Sequence, residues 1–260
     1  MSQSRQKCYK RVTISCHITY LTLSNANEWE NTENQLDRAR IFPFHHRKAP
    51  ASSGDIFLLK ASSSVLLTLC TPEESESCEE EVHLLRTPRA LWTVLAINTS
   101  AEYASDHQMK QYLTPSAQYV RGITSLLHTQ RTNAEIISGD MRKWLKDFQS
   151  QSIFDDEQFT KSTSYHWAVR TCDELSESIA STLRFMRVRV ISSVDKLCRE
   201  AHAYEKLGIE YWLERMKEET FALKDLHAQI LALRVQVQES VGRPLSKIPR
   251  EMEVLIVFSA

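Results

Sequence analysis

A chain of 260 residues is long enough to bury a core as one large domain or two smaller ones, without disulfides or metals. Its 42% hydrophobic and 25% charged residues exclude a disordered polymer, and a net charge of −1 with both signs interspersed excludes the basic footprint of a nucleic-acid-binding protein. Glycine occurs only 5 times and never twice within sixteen positions, so no glycine-rich phosphate loop, dinucleotide fingerprint or nucleophile elbow can be assembled.

The N-terminus is polar and basic through Arg11, and Thr13, Ser15, His17 and Thr19 then interrupt the apolar residues, which does not suit a signal peptide. No apolar run approaches the roughly 20 residues needed to cross a bilayer, so no membrane span is expected. Six dispersed cysteines without a C-x-x-C pair read as reduced, structural thiols, and the localisation expected is cytoplasmic.

Residues 11–23 alternate, with Val12, Ile14, Cys16, Ile18 and Tyr20 on one face, which predicts a half-buried strand. Residues 25–40 are polar and read as a loop or short helix. Two apolar runs, 55–59 and 64–70, are split by Ala61, Ser62 and Ser63 and read as two strands or a hairpin. Residues 71–81 carry Glu73, Glu74, Glu76, Glu79, Glu80 and Glu81 among serines, a solvated acidic loop. From Pro88 the pattern of Leu91, Trp92, Leu95 and Ile97, continuing through Tyr103, Met109, Tyr112 and Leu113, favours helix, and Pro115 interrupts it.

A long helix is expected to start at Asp155, Asp156, Glu157 and Gln158, where Asp followed three positions later by Gln resembles a capping box and acidic groups suit the positive end of a helix dipole. Beyond it, Tyr165, Ala168, Cys172, Leu175, Ile179 and Met186 recur at three- and four-residue steps, with the polar Thr182 in the remaining place. Val194, Leu197, Ala201 and Tyr204 continue the spacing. Ile209, Trp212, Met216, Leu223, Leu226, Ile230, Leu233 and Val237 carry it over four more heptads, with only Glu219 out of place. These eight define a helix-packing interface, open to self or to other helices.

Two stretches break the pattern. Residues 187–193 form a β-branched interruption, and residues 241–260 begin with Gly242 and Pro244 and end in an apolar run; both read as retained intron sequence or other gene-model errors.

The histidines show no H-E-x-x-H, no H-x-H and no Cys/His ligand spacing, and adjacent His45 and His46 read as an exposed loop. Asp155, Asp156 and Glu157 carry the oxygen ligands a divalent cation such as Mg requires, a weak metal candidate for which helix capping is the simpler account. Trp167 and Trp212, with Tyr165, Tyr204 and Tyr211, read as core and interface residues rather than a ligand box. No catalytic arrangement and no organic cofactor site can be proposed, and the chain is expected not to be an enzyme.

The expected fold is α+β and predominantly α. Residues 1–150 form a small α/β region, 151–240 a coiled coil or helical bundle, and 241–260 an irregular tail. The residues Phe154-Asp155-Asp156, Phe159-Thr160-Lys161-Ser162, Tyr165-His166-Trp167, Arg170-Thr171-Cys172-Asp173-Glu174-Leu175 and Tyr211-Trp212-Leu213 resemble fungal CorA-like divalent-cation transporter proteins, over roughly residues 90–238. The resemblance implies a cytosolic α/β domain feeding long stalk helices, with ion-sensing acidic groups. It also implies two C-terminal membrane helices and a Gly-Met-Asn pore motif, neither of which this sequence contains, so no pore residue carries over. A form bearing such helices would be membrane-associated. A soluble coiled-coil adaptor for partner helices is the alternative expectation, and an accessory protein of a metabolic pathway the third.

Overall fold

The computed structural model describes residues 9–25, 39–43, 56–72, 91–97, 114–150, 160–200 and 203–246. They form four strands followed by long helices, an α+β fold that is mostly α. The strands are β1 (Tyr9–Asn25), β2 (Ala39–Pro43), β3 (Ile56–Pro72) and β4 (Leu91–Ile97). The helices are α1 (Pro115–Ser150), α2 (Thr160–Phe185), α3 (Ile191–Glu200) and α4 (Ala203–Ser246), with a π-helical turn at Met186–Val190 joining α2 to α3.

In the sheet, β3 is the central strand, with β1 on one side and both β2 and β4 pairing along it. β2 pairs antiparallel with the first part of β3, Ala39 opposite Lys60 and Pro43 opposite Phe57, with a register shift between Arg40 and Phe42. β4 pairs antiparallel with the second part, Ser64 opposite Ile97 and Cys70 opposite Leu91. β1 follows the expected alternation, with Cys16, Ile18 and Tyr20 buried and His17 exposed, whereas Val12 towards its start is exposed.

Three sequence expectations need correction here. The two apolar runs around residues 55–70 are one continuous strand, because Ala61 and Ser63 hold the inward positions between Leu59 and Val65 and small side chains break neither the period of two nor the packing. The Leu91-Trp92 segment is strand rather than helix: its aromatic and β-branched residues find an open edge of β3, and that tertiary pairing decides a short apolar run which periodicity leaves ambiguous. Residues 39–40, expected in a polar loop or short helix, begin β2. The acidic stretch 73–81, His45 and His46, and residues 103–113 lie outside the described residues.

α1 begins where the sequence placed only a break. Thr114 caps it, its Oγ1 3.3 Å from the Ala117 amide and its carbonyl oxygen accepting from the Gln118 amide at 2.9 Å, and Pro115 occupies the first helical position, where its fixed φ suits the helix and its missing N–H is not needed. The 36-residue helix that follows buries Tyr119, Val120, Ile123, Leu126, Leu127, Ile137 and Met141 at helical spacing.

The chain divides into two compact units, each drawing on strands and helices. The first comprises Met1–Ile18, Ser62–His128 and Phe185–Glu219; the second comprises Thr19–Ala61, Thr129–Arg184 and Thr220–Ala260. The boundary expected near residue 150 does not coincide with this division, two of whose limits fall inside α1 and α4. Residues 241–246, expected to open an irregular tail, are helical, because α4 runs to Ser246, and residues 247–260 lie outside the described residues.

Residues 187–193 are not an interruption. The backbone continues helically, with the Ile191 amide bonded to the Met186 carbonyl five residues back, and Met186, Val190 and Val194 all stay buried.

Candidate functional site

The longest element of the fold, α4, carries the predicted packing residues, and the structure buries them within the single chain. Ile209, Met216, Leu223, Leu226, Ile230, Leu233 and Val237 are buried, and Trp212 is half-buried. The matching residues on α2, Ala168, Cys172, Leu175, Ile179 and Thr182, are buried as well, and so are Val194 and Leu197 of α3. Sequence spacing therefore located the inner faces of these helices.

In the first unit, α4 is held to α1 by three polar contacts that flank the apolar ones. The Thr124 hydroxyl donates to the Val120 carbonyl at 2.9 Å and lies 3.4 Å from the Trp212 carbonyl oxygen. The Arg121 guanidinium stands 5.5 Å from the centre of the Trp212 ring, a cation–π contact. Glu219, the residue that breaks the heptad pattern, places Oε1 3.0 Å from His128 Nδ1.

In the second unit, α4 meets both α1 and α2. Arg142 of α1 donates to Gln229 Oε1 at 2.7 Å, Ser176 of α2 lies 2.9 Å from His227 Nε2, and Arg234 pairs with Asp173 of α2. The strands are tied in by Thr22, whose hydroxyl donates to Asn133 Oδ1 at 2.9 Å, and by Ser178, whose hydroxyl donates to the Thr19 carbonyl at 3.0 Å. Trp144 and Trp167 meet edge to face at 5.8 Å, and Trp144 stacks with Phe148 at 4.9 Å. Trp167 is a core residue, as its spacing predicts.

The buried thiols are kept protonated. Burial pushes Cys16 up to about 12 from an ordinary 9.0, and Cys172 also to about 12, where Asp173 raises it further and Arg234 opposes. Burial and the neighbouring Cys16 raise the Tyr119 phenol too. Such groups are packing elements, not nucleophiles.

The metal candidates Asp155, Asp156 and Glu157 lie outside the described residues. Among the described residues, no group of three or more His, Cys, Asp or Glu side chains is arranged to hold a metal ion, and no helix is long and apolar enough to cross a membrane.

One feature of α4 escaped the sequence reading. Opposite its buried face, Leu207, Phe221, Leu231 and Val235 are exposed large hydrophobic residues, with Tyr211 beside them. Leu207, Phe221 and Val235 are separated by multiples of seven positions, with Ala228 at the same heptad position, so a second apolar row was present in the sequence, hidden by the stronger one.

The chain has no significant match among protein-family models, curated proteins or solved structures.

Proposed function

We propose that this chain is a non-enzymatic, CorA-like cytosolic region serving divalent-cation transport or sensing. What supports the reading is the order of its parts. A sheet built in the first hundred residues is followed by helices alone among the described residues, ending in a 44-residue helix that measures about 66 Å at 1.5 Å per residue. That is the sequence of α/β region and stalk which the resemblance implies.

A thermal-shift titration of the full chain with MgCl2, matched for ionic strength with NaCl, tests it. A saturable rise in Tm of a few degrees at millimolar Mg is expected, because a cation that binds the folded state alone stabilises it by mass action. A Tm that follows the NaCl control would overturn the sensing role.

The second reading is a helix-binding scaffold, and the observation favouring it is the exposed apolar row on α4. The face foreseen for such binding, from Ile209 to Val237, is filled by the chain itself, so a partner would engage the opposite side.

A further inference from the structure

The outer face of α4 has a composition that specifies what covers it. Between residues 221 and 235 its crest is Phe221, Ala228 and Val235, one residue every seven, with Leu231 and Ala232 alongside. Phe221 is 75% exposed and Val235 50% exposed, in a helix whose other face is fully packed. A seven-residue recurrence keeps a row aligned with a neighbouring helix running beside it, whereas scattered surface apolar residues would show no such period.

The rows flanking this crest differ in sign. On one side stand Lys217 and Lys224; on the other stand Glu218 and Asp225, each pair seven residues apart. All four side chains are exposed. Lys217 pairs within the helix with Glu214 at 2.7 Å, Arg215 with Glu218 at 3.3 Å, and Asp225 accepts from Gln229 at 2.7 Å, all contacts on a solvated surface.

We propose that this face docks a second copy of the same chain, α4 against α4 in parallel. When two parallel copies face each other across a two-fold axis, the basic row of one lies against the acidic row of the other, so Lys217 and Lys224 meet Glu218 and Asp225 at nearly the same level. In the antiparallel arrangement each row meets itself, and like charges oppose on both sides. Glu214 interrupts the crest between Leu207 and Phe221, and in the parallel pair it would face its own counterpart, which confines the close apolar contact to residues 221–235. A patch of that extent is smaller than a standard interface, so the dimer is weak and depends on concentration. The inference is independent of the cation reading, since Mg binding and this contact can each occur without the other.

Sedimentation equilibrium of the full chain tests it. The expected result is a reversible monomer–dimer equilibrium that Phe221→Glu abolishes, with unchanged circular dichroism because the side chain it replaces is solvent-facing. Lys224→Glu weakens the dimer about tenfold by setting Glu against Asp225 of the other copy, and the double swap Lys224→Glu, Asp225→Lys restores it by exchanging the two signs. A strictly monomeric wild type at high concentration, or a dimer indifferent to Phe221→Glu, overturns the proposal. Tightening by Lys224→Glu overturns the parallel arrangement, because it would show lysines facing each other.

Discussion

The Nδ1 atom of His128 on α1 lies 3.0 Å from Oε1 of Glu219 on α4, so the one residue that spoils the heptads of α4 reaches sideways to a polar partner. The glutamate side chain is 18% exposed and the histidine 57%. A polar contact with one member so open contributes little, whereas leucine at 219 would extend the apolar row between Met216 and Leu223. Glu219→Leu is expected to raise the unfolding free energy by about 1 kcal/mol, the net of partial apolar burial over a weak pair. Urea denaturation monitored by circular dichroism measures it, and a loss of similar size would mean that the His128 contact matters more than its exposure suggests.

The two faces of α4 should respond unequally to truncation. Leu223 and Ile230 are fully buried, so Leu223→Ala or Ile230→Ala is expected to cost about 2–5 kcal/mol through lost burial and the cavity left behind. Phe221→Ala, two positions away, should change the stability of the monomer by no more than about 0.5 kcal/mol. Equal costs from the same denaturation experiment would show that the helix is not packed on one side only.

That contrast also shows how far the sequence could be read. The inner faces of α2 and α4 were legible because their apolar residues recur at three- and four-residue steps, and burial against other helices is the stable outcome of that spacing. β1 was legible for the same reason at a period of two. β3 was legible as strand but not as one strand, because Ala61 and Ser63 carry too little hydrophobicity to announce an inward face, and β4 was not legible, because its seven residues take their state from a neighbour distant in sequence. α1 was missed because Pro115 was read as a break, when with Thr114 before it the same proline marks a helix start. The outer row on α4 stayed hidden because the stronger three- and four-residue recurrence of the inner face accounts for the helix by itself, and isolated surface apolar residues are ordinary.

The buried thiols set an alkaline limit on stability. Cys16 and Cys172 ionise near 9.0 when unfolded but only at about 12 when folded, so the folded chain holds protons that the unfolded chain releases. Their contribution is fully present below about pH 9 and declines as the pH rises towards 12, the unfolded state then binding fewer protons. The double variant Cys16→Ala, Cys172→Ala is expected to start from lower stability and to lose less of it between neutral and strongly alkaline pH. Parallel pH series of urea unfolding compare the slopes, and identical slopes would show that these thiols titrate alike in both states. Iodoacetamide labelling of the native protein should spare the same two residues.

Gly139 sits within α1, and a Cβ placed there would meet nothing within 4 Å. Glycine in a helix interior loses more backbone freedom on folding than alanine does, and here no packing requirement offsets that loss. Gly139→Ala is expected to stabilise by about 0.5–1 kcal/mol, seen as a higher denaturation midpoint with unchanged slope. A lower midpoint would reveal a close approach to residue 139 that the structure lacks.

The π turn at Met186–Val190 behaves as one residue inserted into a heptad pattern. Before it, the buried positions Leu175, Ile179, Thr182 and Met186 advance by four, three and four; after it, Val190 and Val194 each follow by four, and Leu197 by three. Three successive steps of four would rotate an α-helix away from its neighbours, and the wider π turn takes up that rotation. Deleting the exposed Val188 returns the steps from Met186 to three, four and three, restoring alternation without moving a buried side chain to the surface. The deletion variant is therefore expected to fold with unchanged helix content and with stability within about 1 kcal/mol of the parent, because an α-turn replaces the wider π one. Circular dichroism and urea denaturation decide the matter. Loss of cooperative unfolding would show that the inserted residue is needed to seat α3, and that the bulge is part of the packing instead of an addition to it.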